Sequence, residues 1–234
     1  MTPLAPPAPG AVAVRAVWTD FGGVLTPPIS HTLATFCARK NISVERLGHA
    51  IGVVTASFGT EDVMEPIDTP LVTEREWLGM VDAVLTEEYG TALGLTTLAD
   101  DWFDGRETNH TWVRALREAR RAGAFVGLIS NMVPTWDAHW RRMVDPAELF
   151  DDVLLSFEVG HRKPSAPMFA LAAERAGVEP RHCLLVDDLA TNCEGAAAAG
   201  WQTLHFTGAA EAADRLKALL HPTTTAHTRT EEMA

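Results

Sequence analysis

The chain alternates between two kinds of apolar pattern. Short runs rich in Val, Leu and Ile, at Val14–Thr19, Phe125–Ile129, Val153–Leu155, Cys183–Val186 and Thr203–Phe206, read as buried strands. Helical spacing of apolar positions marks Thr111–Ala122, Ala166–Ala176, Cys193–Ala199 and Ala210–Leu220. Strand alternating with helix predicts an α/β fold with a doubly wound parallel sheet, because each parallel crossover lays a helix on the sheet face. The interval 27–105 breaks this rhythm. It reads as mostly helical, most clearly over Thr32–Lys40, Val44–Ala56 and Thr73–Tyr89, with no strong strand. A helical subdomain inserted after the first strand is the expectation, placed to cover that strand's end like a lid. The core then comprises 11–26 and 106–220. A Pro- and Ala-rich segment, 1–10, and a polar tail, 221–234, read as flexible.

Composition narrows the partners. The 234 residues are 47% hydrophobic and 21% charged, ordinary for a globular chain with a real core. A formal net charge of -12 argues against nucleic acid and anionic membrane, which need clustered Lys and Arg. It leaves room for a small phosphorylated molecule, whose site needs only local positive charge or a metal. Cys37, Cys183 and Cys193 form no CxxC pair, and their odd number fits a reducing, cytoplasmic setting. The start Met1-Thr2-Pro3-Leu4 shows no basic and apolar leader pattern, and no run has the length of a membrane span.

Chemistry-bearing residues cluster where strands end. Trp18-Thr19-Asp20-Phe21-Gly22-Gly23 delivers an acid to the carboxyl edge of a sheet and then turns sharply. Asp20 also fits a simple turn cap. Leu128-Ile129-Ser130-Asn131 offers a hydroxyl and a backbone N–H to an anion, and equally fits a helix cap. In Gly160-His161-Arg162-Lys163-Pro164 the proline is placed to open a helix, and Lys163 stands just before it as a cation for phosphate or as an ordinary surface lysine. Val186-Asp187-Asp188-Leu189-Ala190-Thr191-Asn192 puts two adjacent carboxylates after a buried strand, costly without a compensating cation. Oxygen donors of this kind suit a hard divalent ion such as Mg²⁺.

Acid, hydroxyl, lysine and acid pair, in that order at successive strand ends, resemble the four motifs of the haloacid dehalogenase (HAD) superfamily. The resemblance covers most of the chain outside the insertion, which itself resembles the helical cap of the superfamily's first subclass. The third and fourth segments look especially like its phosphatase and epoxide-hydrolase-phosphatase branch. The resemblance implies a HAD-like, Rossmann-like core and a Mg²⁺-dependent phosphatase acting on a small phosphorylated metabolite. Asp20 would be the nucleophile and form an aspartyl-phosphate that water hydrolyses. Ser130, with Asn131, Gly22 and Gly23 beside it, would hold the phosphoryl group. Lys163 would screen its charge. Asp20, the Gly22 carbonyl and Asp188 would hold the metal, with Asp187 next to them, while Asn192 steadies the loop. Whether copies of the chain form a homo-oligomer is not readable.

One position departs from the family. A second aspartate usually stands two residues after the nucleophile, where this chain has Gly22. Glycine keeps the carbonyl that ligates the metal and loses the side chain that acts as general acid and base, a loss of about 10²–10⁴-fold in rate. His31, Glu61 and Asp62 are replacements by chemistry alone. A weakly active or regulatory phospholigand-binding protein, or a redirected HAD chemistry, therefore stands beside the phosphatase reading. The phosphonate-cleaving branch needs a cap lysine, and Lys40 is the only one in the insertion. The acid pair argues for a metal and so against halide cleavage. Phe36, Phe58, Trp77, Tyr89, Trp102 and Phe103 either form the insertion's own core or line a mildly apolar pocket. Trp136 belongs at the pocket mouth or against the sheet.

Overall fold

The computed structural model describes residues 12–221. The expected flexible segment 1–10 and, beyond His221, the expected tail lie outside them. Five strands, β1 (Ala16–Thr19), β2 (Phe125–Ser130), β3 (Asp152–Leu155), β4 (Cys183–Asp187) and β5 (Gln202–His205), form one parallel sheet in the order β3-β2-β1-β4-β5. Strand order reverses between β1 and β4, and a crevice opens at the carboxyl ends there. Register places Thr19 opposite both Leu128 and Val186, so the residues that follow β1, β2 and β4 emerge side by side.

Between β1 and β2 run α1 (Ile29–Lys40), α2 (Val44–Ser57), α3 (Glu65–Asp68), α4 (Glu74–Tyr89) and α5 (Ala99–Phe103), a helical block without a strand. Then α6 (His110–Arg121) returns the chain to the sheet. Between β2 and β3 lie α7 (Asp137–Met143) and α8 (Pro146–Leu149). Between β3 and β4 lie α9 (Ser156–Val159) and α10 (Ala166–Ala176). After β4 comes α11 (Ala190–Ala198), and α12 (Ala209–Leu220) follows β5. The pattern reading misses α3, α5, α7, α8 and α9 because none is long enough to repeat a helical period clearly. Pro164 does not open a helix. Ser165 is the N-cap of α10 and the first-turn proline is Pro167. Pro164 instead lies in the loop before it.

The alternation of side chains along β1 explains why both faces of the sheet are covered. Ala16 and Trp18 pack with Met168, Phe169 and Ala172 of α10. Val17 packs on the other face with Trp112 and Leu116 of α6 and Leu216 of α12. In the block, Leu47, Val54, Leu78, Val81 and Leu85 carry the buried stripes of α2 and α4. Phe36, Trp77 and Trp102 are buried, and Phe58, Tyr89 and Phe103 pack against that core, so most of these aromatics hold the block together. Among the described residues no helix is long and apolar enough to cross a membrane.

Two polar knots fasten the block to the core. Glu74 at the start of α4 is buried and accepts from Leu98 N at 2.9 Å and Thr97 Oγ1 at 2.7 Å within the block. It also accepts from Trp136 Nε1 at 2.9 Å and from Thr135 Oγ1 on the loop after β2. Arg162 binds Asp68 of α3 in a bidentate fork, Nε–Oδ1 3.0 Å and Nη2–Oδ2 2.9 Å, and reaches Asp62 at 2.8 Å. Trp136 thus does two things: it stacks on Trp102 at 5.5 Å and it lines the cavity beneath the block.

Candidate active site

Strand ends gather the charged groups. Lys163 Nζ donates to Asp20 Oδ1 and to Asp187 Oδ2, each at 2.6 Å. The lysine is 1% exposed, so it is not a surface cation. Burial alone would pull its ammonium down, but Asp187 and Asp20 outweigh that and hold it above the usual lysine range. Asp187 has no free oxygen: its Oδ1 accepts from Leu189 N and Asn192 Nδ2, both at 2.9 Å. Its position is behind the lysine, which it orients. Asn131 is committed in the same way. Its Nδ2 donates to the Lys163 carbonyl and its Oδ1 accepts from Lys163 N, both at 2.9 Å. That leaves its backbone N–H, and not its amide, for a ligand. On α11, Gly195 admits Pro164 so closely that a Cβ there would meet the Pro164 carbonyl at 2.5 Å. The lysine loop is therefore pinned from both sides.

Asp20, Asp187 and Asp188 have carboxylate oxygens within 4.8 Å of one another. Burial raises the Asp20 carboxyl, against the pull of Lys163. Burial, then Asp20 and Asp187, pushes Asp188 up to about 7. Crowded acids in a dry crevice fit a hard divalent cation, for which Asp20 and Asp188 have oxygens to spare. Gly23 makes this approach possible. Its φ is +79°, and a Cβ there would lie 2.0 Å from Asp188 Oδ2. A Cβ on Gly22 would meet Ile29 Cδ1 at 3.1 Å and Asp20 Oδ2 at 3.9 Å. The space an acid at position 22 would take thus belongs to the Ile29 side chain of α1.

A cavity of about 150 Å³ lies between block and core, lined by Asp20, Gly22, Ser130, Asn131, Lys163 and Asp188. Ser130 is buried, and its hydroxyl has only a long 3.5 Å contact with the Asn131 carbonyl, which leaves it available. Of the three acid–base replacements suggested by chemistry, Asp62 lines the cavity, bonded to Arg162. His31 lines a neighbouring surface pocket, and Glu61 lines neither. Lys40 pairs with Asp101 away from the cavity. Pattern reading did not single out Asp68, Arg106 or Arg162. Arg162 stands beside Lys163 in a motif already noticed. Arg106, by contrast, follows an aromatic pair in a stretch of Asp, Gly and Glu that carries no period.

This fold and site define a HAD-like hydrolase, and comparison agrees. The model of the haloacid dehalogenase-like hydrolase family matches residues 14–200. The chain belongs to that family. It is 32% identical over 176 residues to phosphatase MT3486 of Mycobacterium tuberculosis (strain CDC 1551 / Oshkosh), covering 64% of this chain and 80% of that one. Similar solved structures include the HAD family enzyme BT-2542 of Bacteroides thetaiotaomicron in complex with magnesium and inorganic phosphate. It is 21% identical at TM-score 0.59 and covers 82% of this chain and 93% of that one. The L-2-haloacid dehalogenase RSc1362 is also 21% identical, at TM-score 0.60, covering 82% of this chain and 86% of that one. At such identity these two structures speak for the fold alone.

Proposed function

We propose that this protein is a Mg²⁺-dependent phosphatase of small phosphorylated metabolites, with the helical block as its cap. The observation that carries this reading is the buried Asp20–Lys163–Asp187 chain beside Asp188 at one sheet edge. Two acids grip the lysine, and the further acid Asp188, with an oxygen to spare beside Asp20, favours a metal-dependent reaction over halide cleavage. The phosphatase relative adds support. Asp20 attacks phosphorus through a carboxylate oxygen, the ester P–O bond breaks, and an aspartyl-phosphate forms that water later hydrolyses. Lys163 orients Asp20 and opposes the upward pull of burial on its carboxyl, and its charge faces the developing negative charge of the phosphoryl oxygens. Ser130 Oγ and the Asn131 N–H donate to those oxygens. Asp20, Asp188 and the Gly22 carbonyl are the groups that would hold Mg²⁺, which when bound offsets the charge of phosphate against carboxylate. Of the three side chains suggested to replace the acid that position 22 lacks, Asp62 alone lines this cavity.

The test is phosphate release across a panel of small phosphate esters with Mg²⁺, with EDTA, and with Asp20→Asn. Turnover that needs the metal and falls by more than about 10⁴-fold in the variant is the expected result. Full turnover in Asp20→Asn would remove Asp20 from the reaction.

A further inference from the structure

Arg106 is the residue that the reading above leaves unexplained. Its side chain lines the cavity with Asp20, under Phe21, Trp102 and Phe103, whose ring centroids lie 5.6–5.9 Å from its guanidinium carbon. Its Nε and Nη2 are closed to solvent and have no hydrogen-bond partner among the described residues. No other charged side chain there has an orphaned buried nitrogen. Asp20 and Asp188 act on it only through space. Aromatic faces satisfy the two sides of a guanidinium and do nothing for its edge.

The same molecule shows what that edge takes. Nε–H and Nη2–H of an arginine run parallel and match the two oxygens of a carboxylate. Arg162 uses this pair of nitrogens on Asp68, at 3.0 and 2.9 Å. Arg106 has the same edge and, among the described residues, no carboxylate to fill it. Resting on the phosphatase reading, we propose that Arg106 receives a carboxylate on the leaving group, so that the substrates are short phosphorylated carboxylic acids. The phosphoryl end has its own partners in Lys163, Ser130 and the Asn131 N–H. A cavity of about 150 Å³, the size that admits a benzene-sized molecule, leaves space for only a few atoms between the two anionic ends. Arg106 stands on the connection between α5 and α6, and a carboxylate reaches its closed edge only if the block moves relative to the core.

Two non-hydrolysable probes separate the claims. Phosphonoacetate carries both anionic groups; methylphosphonate carries the phosphoryl mimic alone. Calorimetric titration of each into the Mg²⁺-loaded protein should show phosphonoacetate binding roughly ten- to a hundredfold more tightly. R106M should abolish that difference while leaving methylphosphonate affinity nearly unchanged. R106K, which keeps the charge without the fork, should restore only part of it. Melting curves on both variants confirm that they are folded. Equal affinity of the two probes for the unaltered protein overturns the inference, as does R106M weakening both alike. If methylphosphonate fails to bind while phosphonoacetate still binds through Arg106, the phosphatase reading falls and the carboxylate receptor stands. If neither binds, both fall.

Discussion

At position 22 the neighbouring side chain, rather than the backbone, bears on what the site can hold. Glycine there is not forced by backbone conformation; it is matched by Ile29, whose Cδ1 occupies the adjoining space 3.1 Å from where a Cβ would sit. An aspartate introduced alone would press on that methyl, which would have to give by a few tenths of an ångström. We therefore expect Gly22→Asp by itself to gain little, and Gly22→Asp combined with Ile29→Ala to raise turnover of esters with poor leaving groups by roughly 10²-fold, as a positioned acid and base is regained. Steady-state kinetics on an alkyl phosphate checks this. No gain in the double variant would mean that Asp62 or another group already supplies the proton. Gly23 is a different case. Its positive φ and the 2.0 Å separation from Asp188 Oδ2 bar any side chain at all. These local demands were partly legible in the sequence, because a Gly-Gly pair after a strand-end acid signals a tight turn. The partner that makes Gly22 tolerable was not, since Ile29 reaches it from another element.

Among the elements, the joint between block and core rests on few groups, and Glu74 is the most connected. Its carboxylate gathers Leu98 N, Thr97, Thr135 and Trp136, the last two from the core. Glu74→Ala leaves these donors without an acceptor in a dry place, at a cost of about 3 kcal/mol in stability. Urea unfolding of the variant checks the figure, and proteolysis at the block–core connections should accelerate. An unchanged midpoint would show that water satisfies the donors. In the sequence, Glu74 looks like an ordinary acid in the first turn of a helix, as Glu76 is in its capping box with Thr73. Nothing in the local pattern tells the solvated acid from the buried one. The α2 and α4 stripes were legible because burial there repeats at helical spacing; the knots were not, because they join α4 and α3 to loops on the far side of the chain.

At the scale of the whole molecule, stability carries a pH signature from the second knot. Asp68 is fully buried, and burial pushes its carboxyl up to about 6 even though Arg162 pulls the other way. A carboxyl raised by folding binds a proton more tightly in the folded chain than in the unfolded one. Its contribution therefore favours the folded state at low pH and is lost as pH rises through about 6. We expect the unfolding free energy of Asp68→Asn, read from urea titrations at each pH, to fall less than that of the unaltered protein between about pH 4 and pH 6, by on the order of 3 kcal/mol. Parallel pH profiles would exclude Asp68 as the source. This coupling lies at the junction of the block and the sheet edge, where Arg162 stands next to Lys163. The loop that presents Lys163 to Asp20 also holds Asp62 and Asp68 of the helical block.

What the sequence determined by itself is the alternation of strand and helix, the helical insertion, and the order acid, hydroxyl, lysine, acid pair at the strand ends. These are properties of periodicity and of short motifs, which depend on neighbours within a few positions. Tertiary structure decided which of those groups meet and what each is left free to do. It put Asp187 and the Asn131 amide behind Lys163 and Ile29 in the place of an acid side chain. It filled one arginine edge with Asp68 and left the equivalent edge of Arg106 empty. Contacts between residues far apart in the chain are selected by packing and by the cost of burying unpaired charge, and neither quantity is written in a local pattern.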